Sequence, residues 1–328
     1  MTKRTLGKTN YQITPISLGT WQVGGKWGSG FDDALADRIL GAALDAGVNF
    51  IDTADVYEDG RSETAVGRAV RAHSGRVYVA TKCGRRINPH VNEGYTPGAL
   101  RGYVEGSLQR LGLERIDLIQ LHCPPTEVYY RPELFGLFED LQAEGKIGHL
   151  GVSVEKVEEG LKALEFDSVA SVQIIYNMFR QRPAERFFAR AREQNVGVIA
   201  RVPLASGLLT GKFSNDTYFA ADDHRNFNRD GAAFDKGETF AGVDYATGLR
   251  AVERIKDLFP GEENLAPRAI QWCLRAAEVT TVIPGASRPA QVTSNLSALS
   301  LPALTEGQLK GIDAVYRELV KPSVHQLW

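Results

Sequence analysis

Four residues of this chain form a chemically suggestive set: Asp52, Tyr57, Lys82 and His122. A tyrosine hydroxyl, with a pKa of about 10, is a poor proton donor unless something stabilises its phenolate. A lysine ammonium does so: one positive charge at roughly 4 Å is worth at most about 4 kcal/mol at an effective dielectric of 20, or a few pKa units. A buried lysine left alone tends to lose its proton, so it needs a carboxylate beside it to remain cationic. Asp52 suits that task, and His122 can donate a hydrogen bond to a substrate oxygen. A site with these parts protonates a developing alkoxide, which is what reduction of a carbonyl by hydride requires.

The four must converge, and their positions in the chain show how. Asp52 closes the apolar run NFID (49–52), Lys82 closes VYVATK (77–82), His122 closes DLIQLH (117–122) and Ser153 closes HLGVS (149–153), while Gln173 lies in VQIIYN (172–177). ITPISLGT (13–20), VGVIARV (196–202) and TTVIPG (280–285) bring the number of strand-like runs to eight. Amphipathic stretches separate them, near Asp33–Ala46, Arg61–Ala72, Thr96–Leu111, Pro132–Glu144, Val157–Leu164, Pro183–Gln194, Thr247–Leu258 and Ala266–Ala277. Near-continuous apolar strands alternating with helices imply a parallel sheet covered on its faces, and eight such units without a break in composition predict an α/β fold, a (β/α)8 TIM barrel, as one domain over 1–328. In a barrel the catalytic residues sit at the C-terminal ends of the strands, where these polar residues lie. An open dinucleotide-binding sheet is disfavoured, because SLGTWQVGG (17–25) has neither GxGxxG spacing nor an immediate helix.

Two segments depart from the repeat. KRTLGKTNYQIT (3–14) reads as a hairpin turning at Lys8–Asn10 and covering the N-terminal end of the barrel. The polar stretch 213–245 follows the seventh strand and is long enough to fold over a ligand.

Composition limits the alternatives. Hydrophobic residues make up 43% and charged residues 24% of 328, with a formal net charge of -2. That balance supports a sizeable core and offers no strong field for nucleic acid or anionic lipid. No apolar run reaches the length of a membrane span and MTKRTLGKTN has no signal-peptide core, so a cytoplasmic location is expected. Cys83, Cys123 and Cys273 lack paired spacing, as in a reducing compartment, and the six histidines show no metal-binding HExxH pattern, so no metal is expected.

The motifs IDTADVY, VATKCG, LIQLHCP, HLGVS, PLASGLLTGKF and VIPGASRPAQVTSNL, in this order along nearly the whole chain, resemble those of the aldo-keto reductases. PLASGLLTGKF is most similar to the branch holding bacterial reductases of sugars and aldehydes and the potassium-channel β subunits. The resemblance implies NADP(H) as cofactor and a tetrad of Asp52, Tyr57, Lys82 and His122, acting on a small-molecule carbonyl or alcohol. It implies that Ser153 and Gln173 hold the nicotinamide carboxamide, and that Thr20, Trp21 and Asp52 lie near the nicotinamide end. It further implies that Pro203, Leu204, Ser206 and Lys212 follow the pyrophosphate, and that Gly285, Ser287, Arg288, Gln291 and Asn295 take the adenosine end. A hydroxyl and a guanidinium at Ser287 and Arg288 suit a 2'-phosphate, and Asn295 suits the adenine amine. Arg201 stands where the family often has an aromatic residue, so a guanidinium plane would stack on the nicotinamide; Val154 replaces a commonly polar residue. Trp21, Trp27, Tyr57, His122 and Tyr129 are expected to line the substrate pocket.

Each residue also has a structural reading. Asp52 alone would cap a loop, Lys82 would be solvated, His122 would pack in the core, and Ser153 or Ser206 would cap a turn. Joint occurrence at successive strand ends favours chemistry over coincidence. Two other functions remain open from sequence: a lyase forming a Schiff base on Lys82, and a slow-turnover subunit that binds the cofactor chiefly as a sensor.

Overall fold

The computed structural model describes residues 1–25 and 30–328. Strands β1 (Arg4–Thr5) and β2 (Gln12–Ile13) form the antiparallel hairpin, turning through a 3-10 segment at Gly7–Thr9 and a left-handed Asn10. Gly7 has φ +48, and a Cβ there would lie 2.3 Å from the main-chain nitrogen of Gly197, so only glycine fits where the hairpin presses on the barrel floor. Leu6 and Ile13 are buried with Phe50, Ala80, Leu118, Ile199 and Ile283, an apolar plug closing the N-terminal end of the barrel.

The barrel strands are β3 (Leu18–Gly19), β4 (Phe50–Asp52), β5 (Tyr78–Cys83), β6 (Ile116–His122), β7 (Ile147–Ser153), β8 (Val169–Ile175), β9 (Gly197–Arg201) and β10 (Val279–Val282). Each pairs in parallel with the next. Parallel bridges Ile16↔Val282 and Gly19↔Gly285 join the first strand to the last. Ser17 N donates to Val282 O at 2.9 Å and Gly19 N to Pro284 O at 3.1 Å, so the sheet closes as a (β/α)8 barrel.

Helices α1 (Asp33–Asp45), α2 (Arg61–Ala72), α3 (Pro97–Leu111), α4 (Pro132–Ala143), α5 (Val157–Ala163) and α6 (Phe187–Glu193) cover the first six units. A short α7 (His224–Phe227) lies in the long excursion; α8 (Tyr245–Lys256), α9 (Ala266–Leu274), α10 (Pro289–Leu296), α11 (Glu306–Val315) and α12 (Lys321–Val324) complete the chain. Their starts have local causes: Asp32, Thr96 and Asp244 each accept a hydrogen bond from a main-chain N–H of the first turn. Among the described residues no helix is long and apolar enough to cross a membrane.

The observed boundaries differ from the expected ones where tertiary contacts prevail. Ile13 belongs to the hairpin, and the first barrel strand keeps only Leu18–Gly19. The sixth strand begins at Val169, three residues before VQIIYN, because Ser171 pairs with Gly197 while Ser153 pairs with Gln173. The stretch 213–245 contains α7 and two 3-10 turns, Lys236–Glu238 and Phe240–Gly242. It is pinned by Trp328, whose indole N–H donates to Asp235 at 2.8 Å and whose ring lies 3.9 Å from the guanidinium of Arg180.

Candidate active site

Asp52 ends β4, Lys82 stands one residue before the end of β5 and His122 ends β6, so three consecutive strands present them at one mouth. Asp52 and Lys82 form an ion pair that is 2% and 1% exposed. The ammonium also donates to Thr53 O at 2.9 Å and to Tyr57 Oη at 3.2 Å. The rings of Tyr57 and His122 meet edge to face at 5.9 Å. All four members of the expected set are thus brought together.

Tyr57 reaches Lys82 from an unusual turn. Glu58 (φ 47) and Asp59 (φ 53) are left-handed without being glycine, and Gly60 (φ 88) completes the reversal into α2. Such conformations cost about 1–3 kcal/mol each and persist only where surrounding contacts over-determine them.

The carboxylate of Asp52 is more firmly held than sequence suggested. Its second oxygen accepts hydrogen bonds from Gln120 Nε2 at 3.0 Å and Gln173 Nε2 at 2.8 Å, and Gln173 also donates to Gln120 Oε1 at 3.1 Å. Gln120 was missed, although a glutamine between Ile119 and Leu121, two residues before His122, shares its inward face. Burial drives the Lys82 ammonium toward neutrality, but Asp52 and then Tyr57 outweigh it and hold its pKa above 10.5. For Tyr57 the balance runs the other way. Burial raises the phenol above 10.0, and the opposing pull of Lys82 only moderates this, so the net acidification expected from sequence is absent here. His122 lies well below 6.5, through burial and then the charges of Arg85, Lys82 and Arg201, and is neutral.

A cleft of about 610 Å³ opens above these groups, lined by Trp21, Tyr57, His122 and, from the excursion, Phe234, Asp235 and Glu238. Beside it lies an ionic cluster that sequence did not reveal. Arg85 donates to Glu238 at 2.6 Å and approaches His122 Nε2 at 3.5 Å; Arg201 donates to Val154 O at 3.1 Å and lies 2.8 Å from Glu155 and 3.2 Å from Glu238. Burial pushes Glu155 up to about 8 against the pull of Arg201, with Glu238 adding to the rise, whereas Arg85 and Arg201 overcome burial to keep Glu238 low. Donor atoms of Cys123, Glu155 and Glu238 come within 4.8 Å of one another, but both carboxylates are committed to guanidinium groups. Arg85 and Glu155 each follow a strand end by two residues and Arg201 ends β9, whereas Glu238 in the distant excursion carries no such signal.

The remaining candidates fall in different places. Trp21 stacks on Tyr57 at 6.2 Å, and Thr20 is buried with its hydroxyl donating to Asp52 O at 3.0 Å. Ser153 is buried beside Cys123 Sγ at 3.5 Å, and the cysteine itself lines the cleft. Arg201 is buried, and its guanidinium nitrogens pair with Glu155 and Glu238. Tyr129 is fully buried, its hydroxyl donating to Ser153 O at 3.4 Å, so it packs in the core instead of forming a pocket wall. Trp27 lies outside the described residues. Pro203 is buried and Leu204 half-buried; Ser206 Oγ donates to Glu238 O at 3.1 Å and accepts from Phe240 N at 3.1 Å, tying the excursion to the segment after β9. Lys212, Gly285 and Arg288 are exposed. Ser287 N and Oγ donate to Gln291, and Asn295 donates to Gly285 O at 3.4 Å.

The model of the Aldo/keto reductase family matches residues 15–317. The chain belongs to that family. An uncharacterized oxidoreductase of Bacillus subtilis is 28% identical over 96% of both chains. A probable voltage-gated potassium channel subunit beta of Oryza sativa subsp. japonica is 29% identical over 98% of both. Among solved structures, the glycerol dehydrogenase of Gluconobacter oxydans superposes with a TM-score of 0.76 at 30% identity, covering 97% of this chain and 96% of that one. As an aldo-keto reductase the chain is an oxidoreductase, and its relatives include a bacterial oxidoreductase and a plant potassium-channel subunit beta.

Proposed function

We propose that this aldo-keto reductase interconverts a carbonyl and the corresponding alcohol by hydride transfer with NADP(H), Tyr57 serving as general acid in reduction and general base in oxidation. One observation carries the reading: a single buried ammonium, Lys82, touches both the carboxylate of Asp52 and the phenol of Tyr57. In reduction the phenol gives its proton to the substrate oxygen as negative charge develops there, and the fixed ammonium stabilises the phenolate left behind. Neutral His122 offers one ring N–H to the same oxygen and orients the carbonyl. Trp21 and Phe234 flank the cleft and limit access of water.

Residues on the other side of the mouth suit a dinucleotide phosphate. Among the described residues Arg288 and Lys212 form no ion pair, and Arg288 sits exposed at the start of α10 next to the Ser287 hydroxyl. Cations free to take a phosphate, together with a helix N-terminus, favour the 2'-phosphorylated cofactor. Gln173, Ser153 and Asn295 would hold its two ends, and the nicotinamide supplies or accepts the hydride.

The Schiff-base reading is disfavoured because Asp52 keeps Lys82 protonated, and an amine must be neutral to attack a carbonyl. Cleft residues able to bond hydroxyl groups, such as Thr126 and Asp235, are compatible with aldehydes, ketones and sugars as the substrate class. Three buried thiols suit a cytoplasmic enzyme. The test is a panel of these carbonyls and their alcohols with NADPH, NADH and the oxidised forms. NADPH consumption that disappears in Tyr57→Phe is expected. Cofactor binding, read by quenching of tryptophan fluorescence, without turnover on any member would point to the sensor role; trapping of substrate on Lys82 by borohydride would point to the lyase.

A further inference from the structure

The turn that carries Tyr57 has a brace that lies outside the cleft. Arg86 Nε donates to Asp55 O at 3.0 Å, its Nη2 donates to the same oxygen, and its Nη1 lies 2.8 Å from Asp59 Oδ1. The two anchor points bracket Tyr57 in sequence, and between them the chain passes through left-handed Glu58 and Asp59. The guanidinium also lies near Gly60, where an added Cβ would sit 2.5 Å from Arg110 Cδ and 3.6 Å from Arg86 Nη2. Asp55 N in turn donates to Lys82 O at 3.3 Å, so the brace and the catalytic lysine hold the same stretch of main chain. Arg86 is absent from the residues lining the cleft.

We infer that Arg86 is a positioning residue for the proton donor: by tying Asp55 to Asp59 it holds the strained turn in the one geometry that sets the Tyr57 hydroxyl against the Lys82 ammonium. A planar fork with donors on several edges can bind a carbonyl and a carboxylate at once, which a lysine at the same place does not reproduce. Asp59 is 90% exposed, so its ion pair adds little and the two bonds to Asp55 O carry most of the brace. Losing them removes one of the contacts that offset the strain of the left-handed residues, and the turn relaxes with its phenol. Because the phenol acts only in the transition state, the loss should appear in kcat rather than in cofactor binding.

The inference rests on the reading of Tyr57 as proton donor, and the experiment separates the two. Arg86→Ala, Arg86→Lys and Asp59→Asn are compared with the unaltered enzyme for kcat, KM, NADPH affinity by fluorescence quenching, and crystal structure. For Arg86→Ala a fall in kcat of about 10–100-fold is expected, with NADPH affinity within about twofold. Arg86→Lys should recover little, and Asp59→Asn should fall between. In the Arg86→Ala structure the Tyr57 hydroxyl should leave its place by more than about 0.5 Å. A kcat within about twofold of the unaltered enzyme, a loss of NADPH affinity parallel to the loss of kcat, or a Tyr57 hydroxyl that has not moved overturns the role of Arg86. If Arg86→Ala does not fold, an unchanged kcat in Asp59→Asn and Arg86→Lys overturns it equally. Should the unaltered enzyme reduce no carbonyl, the functional reading fails, and the crystal structures of the variants alone decide whether Arg86 places Tyr57.

Discussion

The ammonium of Lys82 and the carboxylate of Asp52 are buried together, with 1% and 2% of their side chains exposed, and each is the other's only neutralising charge in direct contact among the described residues. Removing one partner leaves an uncompensated charge. Lys82→Met should therefore destabilise the fold by about 3–5 kcal/mol, and Lys82→Met with Asp52→Asn should cost clearly less than the sum of the single changes. Denaturant unfolding of the four proteins gives the coupling energy. Additive single costs would show that the pair does not act as a unit.

Tyr57 should set the upper limit of the pH range for reduction. Its pKa is raised by burial, so the phenol is protonated, and competent as an acid, throughout the neutral range. His122 is held neutral by its pKa well below 6.5 and adds no change of charge there. The rate of reduction should be level from about pH 6 to 9 and decline only above about pH 10, whereas oxidation, which needs the phenolate, should climb with pH across the same window. Initial rates in both directions test this; a reduction rate that falls between about pH 6 and 8 would contradict the pKa order.

Asp55 makes stability depend on pH in a direction opposite to that of most carboxylates. It is fully buried beneath the Tyr57 turn, and burial, with Glu63 nearby, raises its pKa from 3.8 to about 7. Between those values the folded chain retains a proton that the unfolded chain has released. Stability is therefore lost as pH rises through this window, and the loss is constant above about pH 7. Asp55→Asn should match the unaltered protein near pH 4 and exceed it by a few kcal/mol near pH 8, as read by chemical denaturation. A benefit independent of pH would mean that Asp55 is ionised in the folded state.

Much of this architecture follows from local order. Alternating apolar strands and amphipathic helices lead to the eight-stranded barrel, and a polar residue at or near the end of a strand is carried to the shared mouth by the parallel topology alone. Asp52, Lys82 and His122 were legible for that reason, as was Tyr57, five positions beyond Asp52. What the tertiary structure decided depends on which segments meet. Gln120 and Gln173 converge on one oxygen of Asp52 from β6 and β8, with β7 between them, and Glu238 reaches Arg85 and Arg201 from an excursion that Ser206 and Trp328 tie down. Tyr129 turns into the core although its exposed neighbour Tyr130 has the same ring and the same local sequence. Even the direction of the Tyr57 shift is a tertiary property: the charge of Lys82 can be read from the chain, but the desolvation that outweighs it arises from packing between residues distant in sequence.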